Sequence, residues 1–178
     1  MKRWTFATLC AVVFVGLAAL LGRPTLVRGA PSNAGPALGP VLGAADWING
    51  PATASAVSGK VVVLDVFTVD CYNCQNVVPT LRSLYANDRS RGLAVIGIHA
   101  PETPAEKGRG YVVQSLARQG ITWPVAVDNG FALWNAYGVT AWPTQLFFDR
   151  RGRLKKIIVG DSQDAAVRAT VNALLAEK

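Results

Sequence analysis

The chain has 178 residues, 51% of them apolar, and a formal charge of +7; this suffices for one domain with a substantial core and is too little for two. Residues 1–34 hold Lys2, Arg3, Arg23 and Arg28 and no acid, so the remainder carries 14 basic against 11 acidic side chains. A balance of +3 over that remainder gives no case for a nucleic-acid partner.

Lys2 and Arg3 precede an uncharged run of 18 residues, Trp4 to Leu21. A basic end before an apolar core is the layout of an export signal. A run of this length also sits at the short limit for crossing a hydrocarbon core of about 30 Å. Residues 1–21 therefore read either as a signal peptide or as an uncleaved membrane anchor. Ser32 and Ala34 form a small-x-small cleavage pattern, but far from the apolar run, which favours the anchor. The positive-inside rule keeps Lys2 and Arg3 in the cytoplasm and places everything after Leu21 outside, despite Arg23 and Arg28. Cys10 lies inside the run and reads as a small hydrophobe. Residues 22–45, rich in Gly, Pro and Ala, suit a flexible linker, and a folded domain is expected over 46–178.

Within that domain, elements alternate. Lys60 to Phe67 (KVVVLDVF) has the β-branched, unbroken apolar character of a strand buried on both faces. Cys74 to Asn87 spaces Val77, Val78, Leu81, Leu84 and Tyr85 as a helix does. Leu93 to Ile98 predicts a second buried strand, and Gly110 to Gln119 a helix ended by Gly120. A short strand over Val125 to Asp128, a short helix over Phe131 to Tyr137, and a hairpin of Gln145–Phe148 with Leu154–Val159 around DRRGR follow. A last helix is expected from Ser162, as N-cap, to about Ala176. This order predicts an α/β layer fold whose early strands are parallel, with chemistry beyond their carboxyl ends. Arg150, Arg151, Arg153, Lys155 and Lys156 read as a solvated hairpin, with attraction to anionic lipid as the minor alternative.

The stretch VDCYNCQNVVP carries Cys71 and Cys74 directly after the first strand. A zinc site needs three or four protein ligands, and outside the apolar run the soft ligands are these two cysteines and His99. A structural staple across two intervening residues would remove little chain entropy from the unfolded state. A redox dithiol has a positive mechanism: at the first turn of a helix, unpaired N–H groups and the macrodipole favour thiolate at Cys71, and Cys74 is placed to resolve a mixed disulfide.

These residues resemble the thioredoxin superfamily. Within it they are similar to the bacterial membrane-anchored, extracytoplasmic thiol-disulfide oxidoreductases of the TlpA type and to the thioredoxin-like domain of DipZ proteins. The likeness covers about Trp47 to Leu175 and rests on KVVVLDVFTVDCYNC, Pro79, VIGIHAPE, ITWPVAVDNGFALWNAYGVTAWPT and DRRGR. It implies a thioredoxin-like fold, a central mixed sheet flanked by helices, here behind an N-terminal signal-anchor helix. It also implies catalytic Cys71 and Cys74 and a cis peptide at Pro143, with the backbone of Trp142 facing the sulfurs and pairing with substrate; an ordinary trans turn proline is the other reading of Pro143. Asp65 matches the superfamily's buried acid, a proton relay for Cys74; an aspartate hydrogen-bonded at a strand turn is the other reading. Asp70 before Cys71, the Tyr72-Asn73 pair and an insertion over residues 101–124 depart from a minimal thioredoxin. His99 and Glu102 either tune the thiols or contact a partner, or are a satisfied structural histidine and a solvated glutamate.

The resulting expectation is an envelope protein outside the cytoplasmic membrane, on the periplasmic side, anchored or secreted. It would exchange disulfides with exported proteins, mainly as a reductant recharged by an upstream membrane thiol donor. No metal or cofactor is expected, and the chain should be a monomer. A peroxidase-like redoxin and a redox sensor or partner-binding module with little turnover are the alternatives.

Overall fold

The computed structural model describes Met1 and residues 37–177. The expected signal or anchor helix over 1–21 lies outside the described residues, and among those described no helix is long and apolar enough to cross a membrane.

The chain runs α1 (Gly39–Leu42), β1 (Trp47–Ile48), α2 (Ala54–Val57), β2 (Val61–Phe67), α3 (Tyr72–Asp88), β3 (Leu93–His99), α4 (Arg109–Gln119), β4 (Val125–Val127), α5 (Ala132–Ala136), β5 (Thr144–Phe148), β6 (Leu154–Val159) and α6 (Asp164–Ala176). Single 3₁₀ turns sit at Arg89–Arg91 and Ala105–Lys107. Six strands form one sheet in the order β1-β4-β3-β2-β5-β6. β2, β3 and β4 are parallel, while β5 runs antiparallel to both β2 and β6. The result is the mixed, helix-flanked sheet of a thioredoxin-like fold.

Every residue of β2 is buried, as its unbroken apolar run requires of a strand covered on both faces. Period-2 alternation sends Val61, Val63 and Phe67 to a core shared with Val77, Val78 and Leu81 of α3 and Val171 of α6. Val62, Leu64 and Val66 enter a second core with Val41, Val57, Leu133 and Tyr137. Asp65 has the odd parity, so its carboxylate faces α3.

Two boundaries differ from the sequence reading. The linker expected over 22–45 ends earlier: Leu38 and Val41 are buried in the second core, and the Val41 amide donates to Tyr137 Oη at 3.1 Å. Leu38 and Val41, three residues apart, pack into that core, which the Gly/Pro-rich composition did not reveal. Ser162 does not cap the last helix. It sits at φ 60°, and α6 starts at Asp164, whose charge meets the positive helix end instead. In the basic hairpin, Arg150 donates to the carbonyls of Gly59, Arg91 and Leu175, and Arg153 pairs with Asp149 at 2.7 Å. Lys155 Nζ also lies 3.7 Å from the Glu177 carboxylate, so three of the five cations have partners within the domain.

Candidate dithiol site

Parallel β2, β3 and β4 bring their carboxyl ends to one edge of the sheet, and antiparallel β5 begins there. Cys71 follows β2 and is the N-cap of α3: its sulfur accepts the Cys74 amide at 3.2 Å and its carbonyl accepts Gln75 N–H at 3.1 Å. The first-turn amides that need partners find one in the cysteine sulfur. Pro79 lies in the interior of α3, where the absent N–H leaves the carbonyl of Gln75 without its i+4 donor.

Both thiols are free, Cys71 half-buried and Cys74 3% exposed. Burial pushes the Cys74 thiol far up from its ordinary value, and the neighbouring Cys71 sulfur pushes the same way; the Thr68 backbone N–H works against them, and the Asp65 carboxylate adds to the rise. Asp65 is itself buried, and desolvation raises its carboxyl to about 6 while a hydrogen bond from Gln145 Nε2 at 2.9 Å opposes the rise. Gln145 is there because β5 pairs antiparallel to β2 with Asp65 directly opposite Gln145. A buried acid with its carboxyl raised to about 6, on the face of β2 that looks onto α3, can take a proton that the buried Cys74 thiol must give up before it attacks. The strand-turn reading of Asp65 is not met, since the residue sits mid-strand in the register.

The Trp142–Pro143 peptide is cis, as the resemblance implied. Trp142 packs at the margin of the same core as Cys71 and Cys74, and its Nε1–H donates to the Ala100 carbonyl at 3.0 Å.

His99 ends β3, fully buried. Its Nε2 lies 2.9 Å from the carbonyl oxygen of Glu106; a carbonyl only accepts, so Nε2 carries the proton and Nδ1 is left without a partner. Burial holds its basicity below the ordinary value despite that carbonyl. Glu102 is exposed, and only its backbone N–H joins the site, donating to Glu106 at 2.9 Å.

Glu106 was not singled out by sequence. Its buried carboxylate accepts the Thr68 hydroxyl, the Asp70 amide at 3.1 Å, and the amides of Glu102 and Thr103 at 2.9 and 2.7 Å. Burial alone would raise its carboxyl, but these donors outweigh burial and hold it below its ordinary value. Gln75 and Gln119 both donate to the Val69 carbonyl at 3.0 Å, and the Tyr111 hydroxyl reaches the Asp70 carboxylate at 2.8 Å. The loop before Cys71 is therefore held by Gln75 of α3 and by three side chains of the insertion, Glu106, Tyr111 and Gln119. The one available signal was an acid amid prolines in PETPAEKG, which reads locally as solvated.

A family model described as Redoxin matches residues 43–175. Protein DipZ of Mycobacterium tuberculosis is 34% identical over 137 residues, covering 75% of this chain and 20% of that protein. The chain thus spans about a fifth of that relative's length. The thiol-disulfide oxidoreductase YkuV of Bacillus subtilis is 26% identical over 132 residues, covering 74% of this chain and 88% of its own. A thiol-disulfide isomerase from Corynebacterium glutamicum superposes with a TM-score of 0.69 at 26% identity, over 76% of this chain and 94% of the other.

Proposed function

The chain belongs to the Redoxin family, and on that premise we propose that it is a thiol-disulfide oxidoreductase working through Cys71 and Cys74 outside the cytoplasmic membrane. The observation that carries this reading is the asymmetry of the two thiols: Cys71 half-buried at the start of α3, Cys74 buried one turn further along it.

Working as a reductant, the Cys71 thiolate attacks one sulfur of a client disulfide. The client S–S bond breaks, a mixed disulfide forms, and the other client sulfur leaves as thiolate. Cys74 passes its proton to Asp65, attacks Cys71 Sγ, and releases the second client thiol. Two electrons have moved to the client, and the protein holds a Cys71–Cys74 disulfide. A membrane dithiol donor returns those electrons by the reverse exchange. Trp142 and Pro143 flank the client strand. The apolar run Trp4–Leu21 tethers the domain on the outer side, where exported proteins supply the disulfides.

The test is trapping in membranes. Cys74→Ser should accumulate client proteins disulfide-bonded to Cys71, released by dithiothreitol, whereas Cys71→Ser should not. If Cys74→Ser traps nothing, the oxidoreductase reading fails. Peroxide-dependent sulfenic acid at Cys71, formed much faster than on a free thiol, would replace it with a peroxidase.

A further inference from the structure

From Trp142, which packs against the same core as Cys71, a cluster of three rings extends to Trp134 and Phe131, two rings that the chemistry of exchange leaves unused. Trp134 and Trp142 have ring centroids 4.5 Å apart, and Phe131 stands edge-on to both, at 5.8 and 6.5 Å. All three are half-buried. Each is held in place. The Trp142 indole N–H is tied to Ala100, whose own amide donates to the Phe67 carbonyl at the end of β2. The Trp134 amide donates to the buried Asp128 carboxylate at 2.8 Å, and the Phe131 amide to the Asp128 carbonyl at 3.0 Å. Phe131 adopts φ 59°, a conformation costly for a side chain with a Cβ. Such backbone persists where surrounding contacts over-determine it.

Charge at this edge is one-sided. The loops that leave β2, β3, β4 and β6 here carry Asp70, Glu102, Glu106, Asp128 and Asp161 against one cation, Lys107. Arg109, the next cation along, pairs with Asp46. Electron-rich ring faces within an acidic surround attract a guanidinium or ammonium more than any neutral side chain, and indole does so best.

We propose that Phe131, Trp134 and Trp142 form a cation-accepting shelf that selects client segments bearing arginine or lysine next to the cysteine. This rests on the oxidoreductase reading above and names the substrate class of that site. Trp142 joins the shelf to Pro143 and to the core against which Cys71 packs, so a client strand crossing the dithiol lays its flanking side chain on the rings. A cation beside the client sulfur also makes that sulfur a better leaving group, so recognition and exchange favour the same clients.

The experiment uses the full chain and disulfide-linked heptapeptides differing only in the residues that flank cysteine: arginine, alanine or glutamate. The arginine peptide should be reduced with a kcat/KM about tenfold above the glutamate peptide at low salt, and the ratio should shrink as salt screens the acids. Trp134→Leu keeps an apolar side chain and Phe131→Gly suits the left-handed backbone; each should cut the arginine-to-alanine ratio about threefold. A second measurement needs no exchange chemistry. The same peptides with serine for cysteine are titrated into tryptophan-labelled protein, and the indole N–H resonances of Trp134 and Trp142 should move with the arginine peptide and not with the glutamate one. Exchange that shows no arginine preference, or a preference unchanged in both variants, overturns the shelf. Indole shifts with no exchange overturn the oxidoreductase reading and leave the shelf standing.

Discussion

Glu106 Oε1 accepts the backbone N–H of Asp70 at 3.1 Å, so a side chain of the insertion holds the residue immediately before Cys71. The same oxygen takes the Thr68 hydroxyl, and the Thr68 backbone opposes the rise of the Cys74 thiol that burial causes. The insertion therefore reaches both cysteines through three residues of loop.

Glu106→Gln turns one acceptor oxygen into an NH₂ group facing amide donors. Leaving buried donors unpaired should cost about 2 kcal/mol, read as a lower urea midpoint. Glu106 has its folded carboxyl held low, so its stabilisation is present above the unfolded value and is lost as pH falls through the folded one. Wild type should therefore lose stability on acidification more steeply than Glu106→Gln. Parallel acid slopes for the two proteins would count against the clamp.

Asp65 has the opposite sign. Its carboxyl rises from 3.8 to about 6 in the folded state, so the native protein keeps a proton that the unfolded chain releases, and stability falls as pH rises between those values. Asp65→Asn keeps an oxygen for Gln145 and removes the titration. It should be more stable than wild type at neutral pH by on the order of 2 kcal/mol and lose that advantage in acid. If Asp65 is the relay for Cys74, the same variant should slow release of the mixed disulfide at neutral pH and remove the pH dependence of that step near the Asp65 value. Single-turnover release measured across pH decides it.

Gly97 lies opposite both Asp65 and Val125 in the sheet. A Cβ there would meet Phe67 Cε1 at 2.9 Å and Val125 Cγ2 at 3.0 Å, and both neighbours are fully buried. Gly97→Ala should destabilise by about 1–3 kcal/mol through overpacking, by denaturant melt. Gly110→Ala, with open space around its Cβ near the start of α4, should be neutral or slightly stabilising.

Arg150 joins three chain segments through the carbonyls of Gly59, Arg91 and Leu175. Arg150→Ala should cost about 1–2 kcal/mol, and Arg150→Lys should recover little, because an ammonium lacks the planar fork. Exposed Arg151, replaced by alanine, should stay within about 0.5 kcal/mol of wild type in the same urea titration.

Most of the domain's elements were legible because their signals are local. The unbroken apolar run of β2 required cover on both faces, the spacing of Val77, Val78, Leu81 and Leu84 set the buried face of α3, and the hairpin around DRRGR announced itself by turn residues. The cysteine pair stood out through its place between those two elements. By contrast, the Ser162 cap and the linker end at 45 misled, since a serine before an acidic turn and a Gly/Pro-rich stretch have the same local appearance whether or not the rest of the fold packs against them.

What the sequence by itself determined was the strand–dithiol–helix unit and the layer architecture, because hydrophobic periodicity and cap chemistry act over a few residues. Register and packing decided the rest. Gln145 meets Asp65 from 80 residues away because β5 pairs with β2 in one antiparallel register. Glu106 reads as solvated in its own segment and becomes a buried clamp only when the insertion folds over the loop before Cys71. Phe131, Trp134 and Trp142 look like scattered core aromatics until β4 and β5 bring their loops to one edge of the sheet. Contacts between residues distant in sequence carry no local signature, so only the tertiary structure assigns them.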